Sequence, residues 1–377
     1  MPRWEMSWGA QIEHPLTRAS LLSVIFYPTF YIRMIPLRRA RKTIRRGFTV
    51  IELMVALTVT GILAGMLLKI SNDVLDTYNQ TTGELDSQLA ARFVLDQLAE
   101  DLQAAVSRRD GRVWLAATVR RDVNLTGKWV PGNSMNKPIE SSLRLDEEAL
   151  EDCRFGVGGV WLRLITQSPD ALSSMAGARA ISYAIDRRGT QSSENESSDG
   201  AAAKRYTLFR GDVSPKNSFL AGFNLHPVDG DYTNAGGADT RDAGEIKSPD
   251  MENGFVDNVI DLGVRFYVKD PDFINGLRLV FPSDSEGGLA NDDYEHLATT
   301  DPDARNDGDP YSTIYPEVAD VMVRVLTMQG AEAIRAFEAG DSPRPSEYSS
   351  DGEYWWYLAE QHSHVFVRRI QLYPSGV

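Results

Sequence analysis

The sequence predicts an α+β protein, in which one long N-terminal helix precedes a globular head rich in antiparallel strands. Three observations support this fold class. Residues 48–68 form an apolar run with one charged side chain, Glu52. The chain then continues without proline from Pro36 to Pro131, and its apolar residues keep a helical spacing. Beyond residue 110, short β-branched and aromatic segments alternate with turn residues.

Composition and charge exclude several classes of protein. A single cysteine among 377 residues, Cys153, rules out an intrachain disulfide and a multi-cysteine metal site. The net charge of −14 argues against nucleic acid as the main partner. Residues 1–47 carry +7, so the other 330 residues carry −21. A basic start before an acidic body is typical of a membrane protein whose first residues stay in the cytoplasm.

Residues 48–68 have the length and composition of a membrane-spanning helix. A helix of this length is roughly 31 Å long, close to the hydrocarbon thickness of about 30 Å. Arg45 and Arg46 precede the run and Lys69 follows it. The alternative is a buried helix of a soluble domain. An ordinary signal peptide fits less well, because the run is too long and no small-residue cleavage site follows it.

At this junction the chain reads Arg45-Arg46-Gly47-Phe48-Thr49-Val50-Ile51-Glu52-Leu53. The run resembles the class III signal of type IV pilins and type II secretion pseudopilins. The resemblance implies that prepilin peptidase cuts between Gly47 and Phe48 and that Phe48 is then N-methylated. It also implies that Glu52 pairs with the N-terminal ammonium of a neighbouring subunit during filament assembly.

The same resemblance implies a pilin-like fold and a location. The protein is expected to be a single-pass protein of the bacterial inner membrane, with a cytoplasmic leader and a periplasmic head. Its expected partners are prepilin peptidase, other pilin or pseudopilin subunits and the inner membrane.

The leader departs from the family pattern in its length. Residues 1–47 make a long leader, and the partly apolar stretch 20–35 is interrupted by Pro28. A start at Met34 leaves a compact basic leader of the usual kind. We therefore expect translation to begin at Met34.

The helix is expected to continue beyond the membrane. Residues on one face at helical spacing are Leu95, Leu98, Leu102, Ala105 and Val106, whereas Asp101 and the neighbouring polar residues fall mostly elsewhere. The run Arg108-Arg109-Asp110-Gly111 is expected to end the helix near Val106. Local melting is expected near three glycines, Gly61, Gly65 and Gly83.

The expected domains are a leader at 1–47, a transmembrane or filament-core helix at 48–70, an amphipathic continuation at 71–108 and a β-rich head at 109–377. Eight strands are expected in the head, at 113–119, 160–165, 180–185, 205–210, 259–268, 276–281, 320–326 and 365–372. A short helix is expected at 331–339. Loops are expected at 189–200, 227–254 and 283–312.

The order of four head segments is similar to that of the J-type minor pseudopilin of type II secretion. These segments are a tyrosine-containing strand at 180–185, Leu-Phe-Arg at 208–210, Leu-Gly-Val-Arg-Phe-Tyr at 262–267 and Pro-x-Val-x-Asp-Val-Met-Val at 316–323. In that family, minor pseudopilins form a complex at the filament tip that primes assembly.

Other constellations give weaker signals. Four acids in one loop, Asp301, Asp303, Asp307 and Asp309, suit Ca²⁺ chemically, but they lack the EF-hand spacing, and solvated turn residues are the commoner explanation. A second weak set is Asp229, Asp231 and Asp239. His362 and His364 are expected on one side of a strand without a third ligand.

Enzyme motifs are incomplete. The turn at 156–159 has no Gly-Lys-Ser/Thr, the Ser-x-x-Lys at 134–137 has no companion motifs, and Cys153 has no obvious catalytic partner. The sequence therefore predicts a filament subunit that is not an enzyme and needs no cofactor. Two alternatives stay open. One is a minor pilin for adhesion or DNA uptake, and the other is a membrane-anchored exported binding protein or enzyme with a pilin-type signal.

Overall fold

The computed structural model describes residues 48–119, 143–145, 148–167, 177–189, 204–225, 240–247, 249–273, 276–282, 294–301, 311 and 313–373. The chain divides into two units, with the boundary between Leu67 and Leu68. The helices in the described ranges are α1 (Val50–Gln103), α2 (Pro215–Leu220), α3 (Thr240–Gly244), α4 (Met328–Ala339) and α5 (Asp351–Gln361).

The strands of the described ranges all lie in the second unit. They are β1 (Leu115–Val119), β2 (Val160–Gln167), β3 (Ala178–Gly189), β4 (Lys204–Asp212), β5 (Gly254–Asp257), β6 (Val259–Lys269), β7 (Leu277–Phe281), β8 (Tyr294–Ala298), β9 (Val318–Leu326) and β10 (Ser363–Gln371). One sheet has the order β5-β4-β3-β2-β1-β8 and the other β10-β9-β6-β7. Every pairing is antiparallel. The α+β class is confirmed.

The main core lies between the two sheets and the later part of α1. β6 contacts β2, β3 and β4 across the sheets. The predicted apolar face of α1 is buried here, with Leu98 and Leu102 at most 1% exposed. The opposite face of the larger sheet is covered as well, because Trp114 and Trp161 pack in a second cluster with residues near α2 and α3. Burial on both faces explains why the apolar residues of β2 occupy consecutive positions, at 160–162 and 164–165, and do not alternate with polar ones.

Two expectations about α1 are wrong. The helix is continuous through Gly61, Gly65 and Gly83, since an interior glycine costs a long cooperative helix only about 1 kcal/mol. It also ends at Gln103, before Val106. There the backbone joins β2 instead, because the Val106 N–H donates to Ile165 O at 2.8 Å.

A third correction concerns Asp101, which lies on the buried side of α1 and is 6% exposed. Arg210 of β4 donates to both of its oxygens, Nε to Oδ2 at 2.8 Å and Nη2 to Oδ1 at 3.0 Å. The Tyr183 hydroxyl of β3 donates to Oδ2 as well. Burial, followed by the charge of Asp101, holds the pKa of Tyr183 well above its ordinary value. These bonds fix the end of α1 to the larger sheet.

The expected strands are all present, with ends that differ by up to four residues, and the expected helix at 331–339 lies within α4. The sequence did not predict α2, α3, α5, β5 or β8. The expectation of loops at 227–254 and 283–312 is wrong where α3 and β8 occur. β8 exists because it pairs in register with β1, from Leu115 with Ala298 to Val119 with Tyr294. Of the loop expected at 189–200, Gly189 instead ends β3, and residues 190–200 lie outside the described residues.

Candidate processing and assembly site

Thr49 and Glu52 bond to each other at the start of α1. The Thr49 N–H donates to Glu52 Oε2 at 2.9 Å, and the Glu52 N–H donates to Thr49 Oγ1 at 3.3 Å. The pair is a capping box, which satisfies two N–H groups that the first helical turn leaves without backbone partners. The spacing Thr49-x-x-Glu52 is the sequence signal for this motif, and our sequence analysis missed it.

The carboxylate of Glu52 is only partly used by this cap. The Thr49 hydroxyl also donates to Oε2, at 3.1 Å, so both bonds from Thr49 reach the same oxygen. Within the described part of the chain, Oε1 accepts no hydrogen bond. The positive end of the helix dipole favours a carboxylate in this first turn. The cap therefore holds the acid four residues after Phe48 with one oxygen open.

The apolar run of α1 presents its side chains outward. Phe48 is 87% exposed, and every residue from 48 to 67 is exposed. The polar hydroxyls are bonded within the helix, because Thr58 Oγ1 donates to Val55 O at 2.9 Å and Thr60 Oγ1 to Ala56 O at 2.8 Å. Of the described helices, α1 alone is long and apolar enough to cross a membrane. Hydroxyls bonded in this way cost little in a hydrocarbon environment.

Comparison with known protein families identifies this segment. Residues 42–68 match the family model of the prokaryotic N-terminal methylation motif. The chain carries a type IV pilin-type signal. This signal implies processing by prepilin peptidase and assembly with other pilins, and it suggests a structural subunit. Comparison with curated proteins and with solved structures gives no match.

Several predicted site residues lie outside the described residues. They are Gly47, Asp303, Asp307 and Asp309, together with the second acidic set Asp229, Asp231 and Asp239 and the Ser-x-x-Lys at 134–137. Asp301 is described, and its N–H donates to Thr299 Oγ1 at 3.1 Å. The described ranges hold no group of three or more His, Cys, Asp or Glu residues placed to bind a metal. Calcium binding at the 301–309 loop stays a prediction.

The remaining candidates are the two histidines, the turn at 156–159 and Cys153, and the structure shows where each of them lies. His362 ends α5 and His364 lies in β10, so the expectation that both lie on one strand is wrong. Gly159 has φ +70°, and a Cβ there would lie 2.8 Å from the Leu262 backbone, which explains the glycine at this position. Cys153 is fully buried, and Arg265 Nη2 lies 2.9 Å from its Sγ.

Proposed function

We propose that this protein is a prepilin-like precursor that is cut between Gly47 and Phe48 and methylated at Phe48. The mature chain then assembles as a minor pilin or pseudopilin in a type II secretion or type IV pilus-like filament. The observation that carries the proposal is the methylation motif at residues 42–68, placed at the start of a 54-residue helix. The proposed parts are the leader 1–47, the filament-core helix 48–70, its continuation 71–108 and the head 109–377.

The assembly step in this proposal uses the open oxygen of Glu52. Cleavage creates an ammonium at Phe48, and Oε1 of Glu52 accepts from the ammonium of a neighbouring subunit while Oε2 keeps the helix cap. In an apolar filament core each charge needs the other, because removing one partner of a buried pair costs about 3–5 kcal/mol. The cap orients the carboxylate before assembly, which lowers the entropy cost of pairing.

Charge supports the proposed orientation and the proposed kind of filament. The +7 on residues 1–47 favours a cytoplasmic leader, and the −21 on the remainder disfavours direct binding of DNA by the head. The four segments similar to the J-type minor pseudopilin fall on β3, β4, β6 and β9. In each sheet the two relevant strands are neighbours, β3 with β4 and β6 with β9. The resemblance of these four segments is the support for a minor subunit near a filament tip.

The experiment separates the charge of Glu52 from its role in the cap. Glu52→Gln removes the charge but leaves an amide oxygen that caps Thr49. Thr49→Val removes the hydroxyl but keeps the carboxylate. Asp76→Asn, at an exposed acid further along α1, is the matched control. Each variant is expressed beside the native filament system, and cleavage and filament content are measured by immunoblotting of membrane and sheared-filament fractions.

All three variants are expected to be cleaved. Only Glu52→Gln is expected to be lost from filaments. Filament content of Glu52→Gln equal to that of the unchanged chain would contradict the pairing role. A loss that is equal for Thr49→Val and Glu52→Gln would assign Glu52 to the helix cap instead.

A further inference from the structure

Among the described strands, β10 forms a sheet edge that differs from the others. The edge strands β5, β7 and β8 have only four or five residues, and the pairings of β5 and β7 are interrupted by a shift in register. Short and irregular edges resist pairing with further strands. β10 has nine residues and pairs with β9 in unbroken register from Ser363 to Gln371. It is therefore the described edge that is best suited to accept another strand.

The backbone of β10 alternates between bonding to β9 and facing away from it. The Thr327 N–H donates to His362 O at 2.9 Å, and the Leu372 N–H donates to Glu317 O at 2.8 Å. These two bonds lie at the two ends of β10, and in an antiparallel pair every second residue makes such bonds. The even-numbered residues therefore bond to β9, whereas the N–H and C=O groups of the odd-numbered residues point away from it.

The second half of this edge is open to solvent. Its outward backbone groups belong to Val367, Arg369 and Gln371, and all three residues are exposed. Within the described ranges these backbone groups have no hydrogen-bond partner. Val367 is 40% exposed, so an apolar side chain lies beside the unpaired backbone. An added strand would gain both main-chain hydrogen bonds and an apolar contact here.

The side chains at this edge are rich in positive charge. Arg368 donates to Asp96 of α1 at 2.5 Å, and Arg92 lies 3.7 Å from the same carboxylate. Arg369 pairs with Asp320 of β9 at 2.7 Å, and its side chain remains 61% exposed. These three guanidinium groups share two carboxylates, which leaves one positive charge in excess among them. β10 itself contains no acidic residue.

We propose that residues 367–371 of β10 bind an extended acidic segment of another protein, which adds to the sheet as an antiparallel strand. Arg368 and Arg369 lie on opposite faces of the sheet, so two consecutive acids in the segment reach one arginine each. A β-branched residue opposite Val367 completes the contact. The proposed function assigns no contact to β10.

A second copy of this chain fits the edge less well than an acidic segment does. Pairing of β10 with β10 would bring the arginines of one copy next to those of the other, and like charges across a strand pair are destabilising. Arginines on an edge thus oppose self-association, whereas they favour a strand of opposite charge. The antiparallel direction is the more stable one per residue, and it is the direction of every described pairing.

The test is fluorescence anisotropy of labelled peptides with the full chain in detergent micelles. The probe is fluorescein-Thr-Val-Glu-Glu-Val-Thr-Thr-amide, which places its two Glu residues opposite Arg369 and Arg368 and the next Val opposite Val367. A second peptide has Lys in place of both Glu residues. Saturable binding of the Glu peptide is expected, about tenfold or more tighter than that of the Lys peptide and weakened by added salt.

Two N-methylated forms of the Glu peptide test the main-chain hydrogen bonds. Methyl groups on the nitrogens of the first Glu and the second Val remove the donors that face β10. Methyl groups on the second Glu and the following Thr lie on the side that faces away, so this peptide is the matched control. The first form is expected to bind about tenfold or more weaker than the unmethylated probe, and the control within about threefold of it.

Variants tie the binding to β10. Val367→Pro removes an N–H that points away from β9, and proline is tolerated at such edge positions, so this variant is expected to fold and to lose binding. Val367→Ala keeps the N–H and is expected to bind within about threefold of the unchanged chain. Arg368→Gln, at an exposed ion pair, is expected to reduce the preference for the Glu peptide over the Lys peptide. Melting temperatures report whether each variant folds.

Three results would overturn the proposal. They are no saturable binding of the Glu peptide, equal affinity for the two methylated peptides, and undiminished binding by folded Val367→Pro. Should Val367→Pro fail to fold, the methylated peptides decide the question, because they leave the protein unchanged. A dimer of the full chain that excess Glu peptide dissociates in sedimentation would assign the edge to a second copy and overturn the assignment to a separate acidic segment.

Discussion

Replacing Asp101 with alanine tests how α1 is fixed to the head. The substitution removes two bonds from Arg210 and leaves the buried hydroxyl of Tyr183 without its acceptor. Breaking a buried ion pair costs about 3–5 kcal/mol. The side chain of Arg210 is 19% exposed, and in the variant its Nη1 still has Asp212 as a partner, to which it donates at 3.1 Å. The loss of stability is therefore expected at the lower end of this range. We expect about 3 kcal/mol of destabilisation for Asp101→Ala.

The measurement is the thermal unfolding of the full chain in detergent, followed by circular dichroism. The unit that contains Asp101 runs from Leu68 to Val377. At an unfolding entropy of about 2.1 cal/mol/K per residue, 1 kcal/mol corresponds to about 1.5 °C for a unit of this size, so the expected decrease in Tm is about 4–5 °C. Glu100→Ala, at the exposed neighbouring acid, is the control and is expected to leave Tm nearly unchanged. Tyr183→Phe keeps the ion pair and is expected to cost about 1 kcal/mol. A decrease of under about 2 °C for Asp101→Ala would refute this account of the anchor.

Two further predictions concern alkaline pH and close packing. Burial raises the pKa of the Tyr183 and Tyr206 hydroxyls in the folded protein, whereas in the unfolded chain both have a pKa of about 10. The contribution of the two neutral hydroxyls to stability is therefore complete below pH 10 and is lost as the pH rises above it. Melting temperatures measured from pH 8 to 11 are expected to fall, and Tyr183→Phe is expected to flatten that fall. A Cβ at Gly263 would lie 2.2 Å from the ring of Phe155, so Gly263→Ala is expected to cost about 1–3 kcal/mol in chemical denaturation, and a neutral result would contradict the observed packing.

Local sequence was sufficient to predict the helices and strands that form through interactions between residues close together in the chain. The apolar run of α1 and the buried face with Leu98 and Leu102 follow from composition and helical spacing. Each predicted strand carried its own alternating or β-branched pattern. The start of α5 also had a local signal that was missed. Ser350 is the N-cap, because the Glu353 N–H donates to Ser350 Oγ at 3.1 Å, and Glu353 Oε2 accepts from the Ser349 N–H at 2.8 Å.

Features that depend on distant parts of the chain were not predictable in this way. Asp101 is buried because Arg210 meets it from 109 residues away, and nothing in the pattern of α1 identifies that partner. β8 has little β propensity and forms through its pairing with β1. The same limit applies to the candidate sites. The methylation motif is local and was predicted, whereas the cavity that Tyr206 of β4 and Glu338 of α4 help to line exists only once these two elements have packed.

The first residue of the mature chain is the most direct test of the central proposal. The protein would be isolated from the membranes of its host, and its N-terminal peptide identified by mass spectrometry. The account predicts a peptide that begins at Phe48 and carries one added methyl group on its amine. A mature chain that begins at any other residue would contradict it.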